Sequence, residues 1–183
     1  MNPVVSTSPE HGSAEVKQRR GIPERSGHHT SLLPKVVALF FCRVGDNAPM
    51  KLAHATWPDV EALPRDVVVL IPTGSLEQHG PHLPLFTDSL LVTAVAEAVE
   101  ARIPGQVLLT PTLWLGASGH HLAFAGTLSA SFPGYQSNLE DVVESLRRHG
   151  FTKFFVVNGH GGNTEPNGVA LRTLKERHPE LVI

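Results

Sequence analysis

Short apolar runs alternate with longer helix-forming segments over residues 50–183, and this alternation sets the predicted fold. Three runs are continuous in aliphatic, β-branched or aromatic residues, which is typical of strands buried on both faces of a sheet. They cover residues 67–71, 107–109 and 154–157, and residues 181–183 begin a fourth. Strands of this kind predict a mainly parallel sheet with helices on its faces.

Helical segments lie between and around these strands. A short one spans residues 56–63, and Pro64 closes it. The segment 89–102 has its large aliphatic residues at helical spacing, and we expect the face that carries them to pack on the sheet. That predicted inward face consists of Leu91, Val95, Ala98 and Val99.

Two further helices complete the pattern. Ser137 and Glu140 form a capping box that predicts the start of one helix, which ends before Gly150. The other helix covers residues 165–177 and is followed by the last apolar run. The resulting order of strands and helices predicts an α/β fold, in which ligands gather at the carboxyl ends of the strands.

Residues 1–49 lack this periodicity. They are rich in Ser, Pro, Gly, His and Arg, a composition typical of segments that bury too little surface to order themselves. The character changes abruptly at Met50. We therefore predict that residues 1–49 are a disordered tail or lie upstream of the true start, and that residues 50–183 form one α/β domain.

Composition excludes several classes of protein. The 15 Lys and Arg against 17 Asp and Glu give a formal net charge of -2, which argues against binding to nucleic acid or to an anionic membrane. The apolar run at residues 36–42 is far shorter than the roughly 20 residues that span a bilayer. The single cysteine, Cys42, excludes an internal disulfide and fits a cytoplasmic protein.

The stretch from residue 73 to residue 88 concentrates side chains that bind metals. It follows the first predicted strand and holds Glu77, His79, His82 and Asp88 between glycines and prolines. Glu77 and His79, two positions apart in an extended segment, project to the same side. Because imidazole and carboxylate together suit zinc, manganese or ferrous iron, this loop predicts a divalent-metal site. Asp88 can fold back to bridge two ions.

Histidines also follow the other two strands. His120 and His121 lie in the long loop after the second strand, and His160 lies in a glycine-rich turn after the third. We expect His82 to orient a neighbour rather than bind an ion. Adjacent residues point apart in most backbones, so we expect at most one of the two loop histidines to reach the centre, and His121 is preferred.

Other chemistries lack their motifs. The chain has no G-x-S-x-G elbow, no P-loop and no G-x-G-x-x-G after a strand. Ser75 and Ser118 have no evident triad partners. Metal-assisted hydrolysis is the reaction class that remains.

Three blocks of sequence resemble the creatininase, or creatinine amidohydrolase, family. The first is GSLEQHGPHLPL at residues 74–85 with Asp88, the second is GT at residues 126–127 preceded by His121 and Phe124, and the third is NGHGGN at residues 158–163. The resemblance covers residues 51–183. It implies a three-layer α/β/α domain that is incomplete at its C-terminus, because the family carries a later His-Ala-Gly to Glu-Thr-Ser segment.

The resemblance also implies a function. It points to a metal-dependent amidohydrolase that cleaves the C–N bond of a small cyclic or linear amide, such as a creatinine-like compound, a formamide or a short peptide. It implies two divalent ions, zinc first with manganese or iron as alternatives. The ligands carried over by motif are Glu77, His79, Asp88 and His160, with Asp88 as the bridge. His121 is predicted to orient or protonate the leaving group, and a homo-oligomer, often a hexamer, is implied.

The chain departs from the family pattern in each of its later blocks. His120 and Ala125 stand where Glu and Pro are usual, and Gly162 stands where creatininase itself has a Glu. The third departure is that the chain ends before the later family segment. A second hypothesis, based on that missing part, treats the chain as a non-catalytic, truncated paralogue that acts as an assembly partner or as an unstable fragment.

Overall fold

The computed structural model describes residues 50–183, so the predictions for residues 1–49, including Cys42, lie outside the described residues. The described part contains three strands: β1 (Val68–Thr73), β2 (Val107–Leu109) and β3 (Lys153–Asn158). It contains four α-helices: α1 (Trp57–Glu61), α2 (Thr87–Arg102), α3 (Phe132–Arg148) and α4 (Thr164–Arg177). Within residues 50–183, no helix is both long and apolar enough to span a membrane.

Strand β1 lies at the centre of the sheet, between β2 and β3, and pairs in parallel with both. The predicted parallel sheet is therefore confirmed. β1 continues through Pro72 to Thr73, beyond its predicted end, and stays paired with β3 there. The predicted fourth strand is reduced to a single parallel bridge between Val182 and Lys153.

Side chains of β1 alternate between two apolar cores. Val69 and Ile71 pack with residues of α3 and α4, among them Leu139. Leu70 packs instead with Ala96 of α2. Because successive side chains of a strand point to opposite faces, α2 covers one face of the sheet and α3 and α4 cover the other. The predicted three-layer α/β/α arrangement is confirmed.

The predicted start of α3 is wrong. The helix begins at Phe132, and its N-cap is Ser131, whose Oγ accepts a hydrogen bond from the backbone N–H of Gly134 at 3.2 Å. A proline lies in the first turn, where its missing N–H is not needed. Ser137 and Glu140 therefore lie inside the helix and do not cap it.

The predicted inward face of α2 is also wrong. Leu91, Val95 and Val99 are exposed to 62%, 54% and 36%. The buried side chains of the helix are Ser89, Val92, Ala96 and Glu100. Ser89 and Glu100 tolerate burial because each is hydrogen-bonded to a backbone group. A hydrophobic pattern contains no information on such hydrogen bonds, so it predicted the wrong buried face of α2.

Candidate metal centre

Four predicted ligands lie at the carboxyl edge of the sheet. Glu77 and His79 follow β1, and His160 follows β3. Asp88 lies in the first turn of α2, where the partial positive charge of the helix N-terminus favours a carboxylate. Asp88 and His160 are in contact although 72 residues separate them in the sequence. The parallel sheet thus brings separate segments to one place.

Asp88 is the central group of this cluster. Its Oδ1 lies 2.8 Å from Nε2 of His79, and its Oδ2 lies 2.9 Å from Nδ1 of His160. Ser75 donates a hydrogen bond from Oγ to Oδ2 at 2.8 Å. Each carboxylate oxygen therefore faces a different histidine, which is the arrangement expected of a bridging ligand.

Glu77 is buried next to Asp88. Its Oε1 lies 3.3 Å from Nδ1 of His160. Its Oε2 is buried and has no hydrogen-bond partner among the described residues. Ligand atoms of Glu77, Asp88 and His160 all lie within 4.8 Å of one another. A buried carboxylate oxygen without a partner is costly, and a cation between these three groups would satisfy it.

Backbone carbonyls fix which nitrogen of each histidine carries its proton. Nδ1 of His79 lies 3.0 Å from the carbonyl of Glu77, and Nε2 of His160 lies 3.2 Å from the carbonyl of Ala117. A carbonyl only accepts, so these nitrogens are the donors. In the neutral rings the other nitrogens then carry lone pairs, and both of those nitrogens face Asp88.

Two carboxylates, those of Glu77 and Asp88, determine the charge of the cluster. Within residues 50–183, Glu77 and Asp88 form ion pairs only with histidines. Burial of His79 disfavours its charged form, but hydrogen bonds to the Glu77 carbonyl and the Asp88 carboxylate, with the charges of Asp88 and Glu77, outweigh burial and raise its pKa above the ordinary value. The cluster therefore attracts positive charge.

His120 and His121 form a second cluster with Glu77. They lie in a 3-10 turn, Gly119–His121, and their ring centroids are 4.2 Å apart. Nε2 of His121 lies 3.9 Å from Oε1 of Glu77. The expectation that the two rings point apart is wrong, because the tight turn brings both side chains to the same side, and ligand atoms of all three residues lie within 4.8 Å of one another.

Several positioning residues were not predicted. The Ser75 hydroxyl donates a hydrogen bond to Asp88 and so holds this carboxylate in place. It was missed because the sequence analysis considered Ser75 only as a possible nucleophile. Asn163 donates from Nδ2 to the carbonyl of Gly74 at 3.0 Å and accepts from the N–H of Ala117 at 2.9 Å, so it ties the β1 loop to the long loop. The position of Asn163 in the third sequence block was the available signal. His82 is exposed and belongs to neither cluster.

Known proteins are similar to this chain in sequence and in fold. The family model described as creatinine amidohydrolase matches residues 53–183. A mycofactocin precursor peptide peptidase of Mycobacterium ulcerans (strain Agy99) is 41% identical over 128 residues, which are 66% of this chain and 47% of that protein. A creatinine amidohydrolase of Pseudomonas putida is 35% identical over 137 residues, which are 68% of this chain and 51% of that protein.

Solved structures agree with these relatives. A structure described as creatininase Mn superimposes with a TM-score of 0.61 at 34% identity, and the alignment covers 71% of this chain and 54% of that one. The chain spans about half the length of the curated relatives it matches. The match over residues 53–183, more than half of the chain, shows that this protein belongs to the creatininase family.

Proposed function

We propose that the chain is a divalent-metal-dependent amidohydrolase that cleaves a C–N bond of a small cyclic or linear amide or of a short peptide. Glu77, His79, Asp88 and His160 are the proposed ligands. The observation that carries the proposal is the orientation of the two histidines around Asp88. Each donates its other ring N–H to a backbone carbonyl, an arrangement that is typical of metal-binding histidines.

The alternative to a metal is that both histidines are protonated. That state would neutralise the carboxylates but would leave Oε2 of Glu77 buried without a partner in the described part of the chain. A cation satisfies this oxygen and uses the lone pairs of both rings. The mixed donor set of imidazole and carboxylate fits zinc, manganese or ferrous iron, whereas calcium and magnesium prefer oxygen ligands.

A serine nucleophile fits the site poorly. Ser75 is fully buried and its hydroxyl proton is directed to Asp88. Ser118 is also fully buried, next to Nε2 of His160. Neither hydroxyl can reach a substrate, so these serines support the ligands instead.

Bound divalent ions in such sites supply an activated water and polarise the carbonyl of the scissile amide. Neighbouring residues of the chain fix the positions of the proposed ligands. Asp88 is fixed by Ser75 and by the N-terminus of α2, and His160 is held between the carbonyl of Ala117 and Asp88. His121 is partly exposed, and its Nε2 lies 3.9 Å from Oε1 of the buried Glu77. Its role in orienting or protonating the leaving group stays a prediction.

Relatives support the proposed substrate class and the proposed metal. Three of the matched proteins act, by their names, on creatinine, on a mycofactocin precursor peptide and on a formylamino-pyrimidine nucleotide, and a fourth is named 3-dehydro-scyllo-inosose hydrolase. All three reactions hydrolyse a C–N bond, which supports a small amide or a short peptide here. Creatininase structures are described as manganese and zinc–zinc forms. We propose two ions, with zinc preferred.

The proposal is tested by metal analysis and by amide hydrolysis. The purified 183-residue chain should bind zinc or manganese and hydrolyse at least one of creatinine, a formamide or a short peptide. Asp88→Asn should lower metal affinity by about 100-fold or more, since loss of even an indirect partner of a ligand costs 10- to 100-fold. Asp141→Asn, on the exposed side of α3, is the matched control and should change neither.

Two results would count against the proposal in different ways. A folded chain that binds no divalent metal would overturn it. A chain that binds metal through Asp88 but hydrolyses none of the substrates would favour the second hypothesis, a non-catalytic paralogue.

A further inference from the structure

We propose that Thr127 is a positioning residue of the metal centre, and that its hydroxyl donates a hydrogen bond to the Glu77 carboxylate when that carboxylate binds an ion. The proposal rests on the proposed function, because it takes Glu77 as a ligand. Within residues 50–183, two side-chain atoms are buried without a hydrogen-bond partner, Oε2 of Glu77 and Oγ1 of Thr127. Each such atom is costly, so a common explanation for both is required.

The contacts of Leu128 place Thr127 beside Glu77. The N–H of Leu128 donates to the carbonyl of Leu76 at 3.0 Å, and these two residues form an antiparallel bridge. One residue further along this pairing, Thr127 lies opposite Glu77. Burial agrees with this position, since Leu128 is 49% exposed whereas Glu77 and Thr127 are 6% and 7% exposed. Successive residues of an extended segment point to opposite faces, so Glu77 and Thr127 share the inner face.

The contact of Gly126 leads to the same position from the other side of Thr127. Gly126 has a φ of 86°, which favours glycine, and a Cβ added there would lie 2.6 Å from Cδ1 of Leu85. The carbonyl of Leu85 accepts a hydrogen bond from the N–H of Glu77 at 2.9 Å. Both neighbours of Thr127 therefore contact residues that adjoin Glu77 or bond to it.

The two atoms without partners are chemically complementary. A carboxylate can only accept hydrogen bonds, whereas a hydroxyl has one O–H to donate. A hydrogen bond from a hydroxyl to a carboxylate is charge-assisted and stronger than one between neutral groups. Partners of this kind orient the carboxylates that bind metals. Because neither atom is paired within the described residues, we infer that the Glu77 carboxylate turns toward Thr127 as it binds the ion.

The test separates the hydroxyl of Thr127 from its methyl group. The full 183-residue chain is treated with a chelator and titrated with Zn²⁺ by calorimetry and with Co²⁺ by visible absorption. Thr127→Val keeps the shape of the side chain but removes the hydroxyl. It should weaken Zn²⁺ binding by about 10-fold or more, as expected for the loss of an indirect partner of a ligand, and should change the Co²⁺ spectrum. The Tm of its metal-free form should stay the same or rise, because the lost hydroxyl has no partner there.

Thr127→Ser should show the opposite pattern. It keeps the hydroxyl and should therefore keep the wild-type affinity for Zn²⁺. It loses a buried methyl group, so the Tm of its metal-free form should fall. A purely structural role of Thr127 would not produce this separation, because the change in metal affinity would then follow the change in stability.

Two variants serve as controls. Thr110→Val removes another buried hydroxyl, which donates to the carbonyl of Leu70 at 3.3 Å, and should lower the Tm without changing Zn²⁺ affinity. His149→Asn removes an exposed histidine at the end of α3 and should change neither. Histidines of residues 1–49 are present in every variant, so any ion that they bind cancels in the comparison.

Three results would overturn the role of Thr127 while leaving the proposed function intact. They are wild-type affinity in Thr127→Val, an equal loss of affinity in Thr127→Ser, and a Thr127→Val chain that does not fold, since the last would show that the hydroxyl is needed before any ion binds. A wild-type chain that binds no ion would instead overturn the proposed function, and the role of Thr127 with it.

Discussion

At the scale of single residues, Gly162 is packed tightly against the proposed ligand His160. A Cβ added at Gly162 would lie 2.3 Å from the carbonyl oxygen of Ala117, 2.5 Å from Nε2 of His160 and 3.1 Å from Cε1 of His120. The neighbouring Gly161 has no atom within 4 Å of the place where a Cβ would stand. Two adjacent glycines in one short turn thus have opposite tolerance for a side chain.

This contrast gives a prediction with an internal control. Gly162→Ala should destabilise the protein by about 1–3 kcal/mol, the usual effect of overpacking, and should weaken metal binding, because the added methyl group displaces the His160 ring. Gly161→Ala should change stability by less than about 0.5 kcal/mol. Thermal denaturation and Zn²⁺ titration of both variants measure the difference. Equal effects of the two substitutions would contradict the packing described here.

The place of the proposed ligands at the sheet edge was predictable from sequence, because each of them follows a predicted strand or precedes a predicted helix. The α/β pattern of the sequence alone predicts that Glu77 and His160 lie at the same edge of the sheet. The second cluster was not predictable in this way. It depends on the 3-10 turn that brings His120 and His121 to one side, and on an oxygen of Glu77 that has no partner within residues 50–183. Neither feature has a signature in spacing or composition.

At the scale of elements, helix α2 shows why a hydrophobic pattern can predict a helix correctly but predict its buried face incorrectly. The segment has aliphatic residues on more than one side: Leu91, Val95 and Val99 are exposed, whereas Val92 and Ala96 are buried. The buried side is fixed by close approach. Val92 packs against Gly159, where an added carbon would come within 2.6 Å of Cβ of Val92. Contact between α2 and the β3 turn also positions Asp88.

The two valines of α2 therefore form a matched pair. Val92→Ala removes buried methyl groups and should lower the free energy of unfolding by about 1–3 kcal/mol, through lost burial and the cavity that remains. Val95→Ala, at 54% exposure, should change it by less than about 0.5 kcal/mol. Urea denaturation of both variants gives the comparison. A larger loss for Val95→Ala would restore the face predicted from the hydrophobic pattern.

At the scale of the whole molecule, the described residues leave large apolar side chains of α2 and of β3 exposed. Leu91 and Val95 of α2 are exposed, and Phe155 of β3 is exposed to 60%. The chain spans about half the length of the curated relatives it matches. The predicted homo-oligomer and the predicted cytoplasmic location stay predictions. Metal binding is a further property that we expect to affect the stability of the whole domain.

The proposed ligands lie on three segments that only the folded chain brings together, so binding of the ion should stabilise the whole domain. A ligand that binds only the folded state adds about 2.7 kcal/mol at 100 times its Kd. That increment corresponds to a rise in Tm of about 5–10 °C for a chain of this size. Zn²⁺ should raise the Tm of the chelator-treated protein, and added chelator should reverse the rise.

Asp88→Asn should remove most of this rise, because Asp88 contacts both His79 and His160, whereas His149→Asn should retain it. The comparison matters more than the size of the shift, since it separates stabilisation through the centre from ions bound elsewhere. A rise that persists in full in Asp88→Asn would mean that the stabilising ion does not use the sheet-edge ligands. Loss of the rise in that variant alone would tie the stability of the α/β domain to the joining of the β1 loop, α2 and the β3 turn.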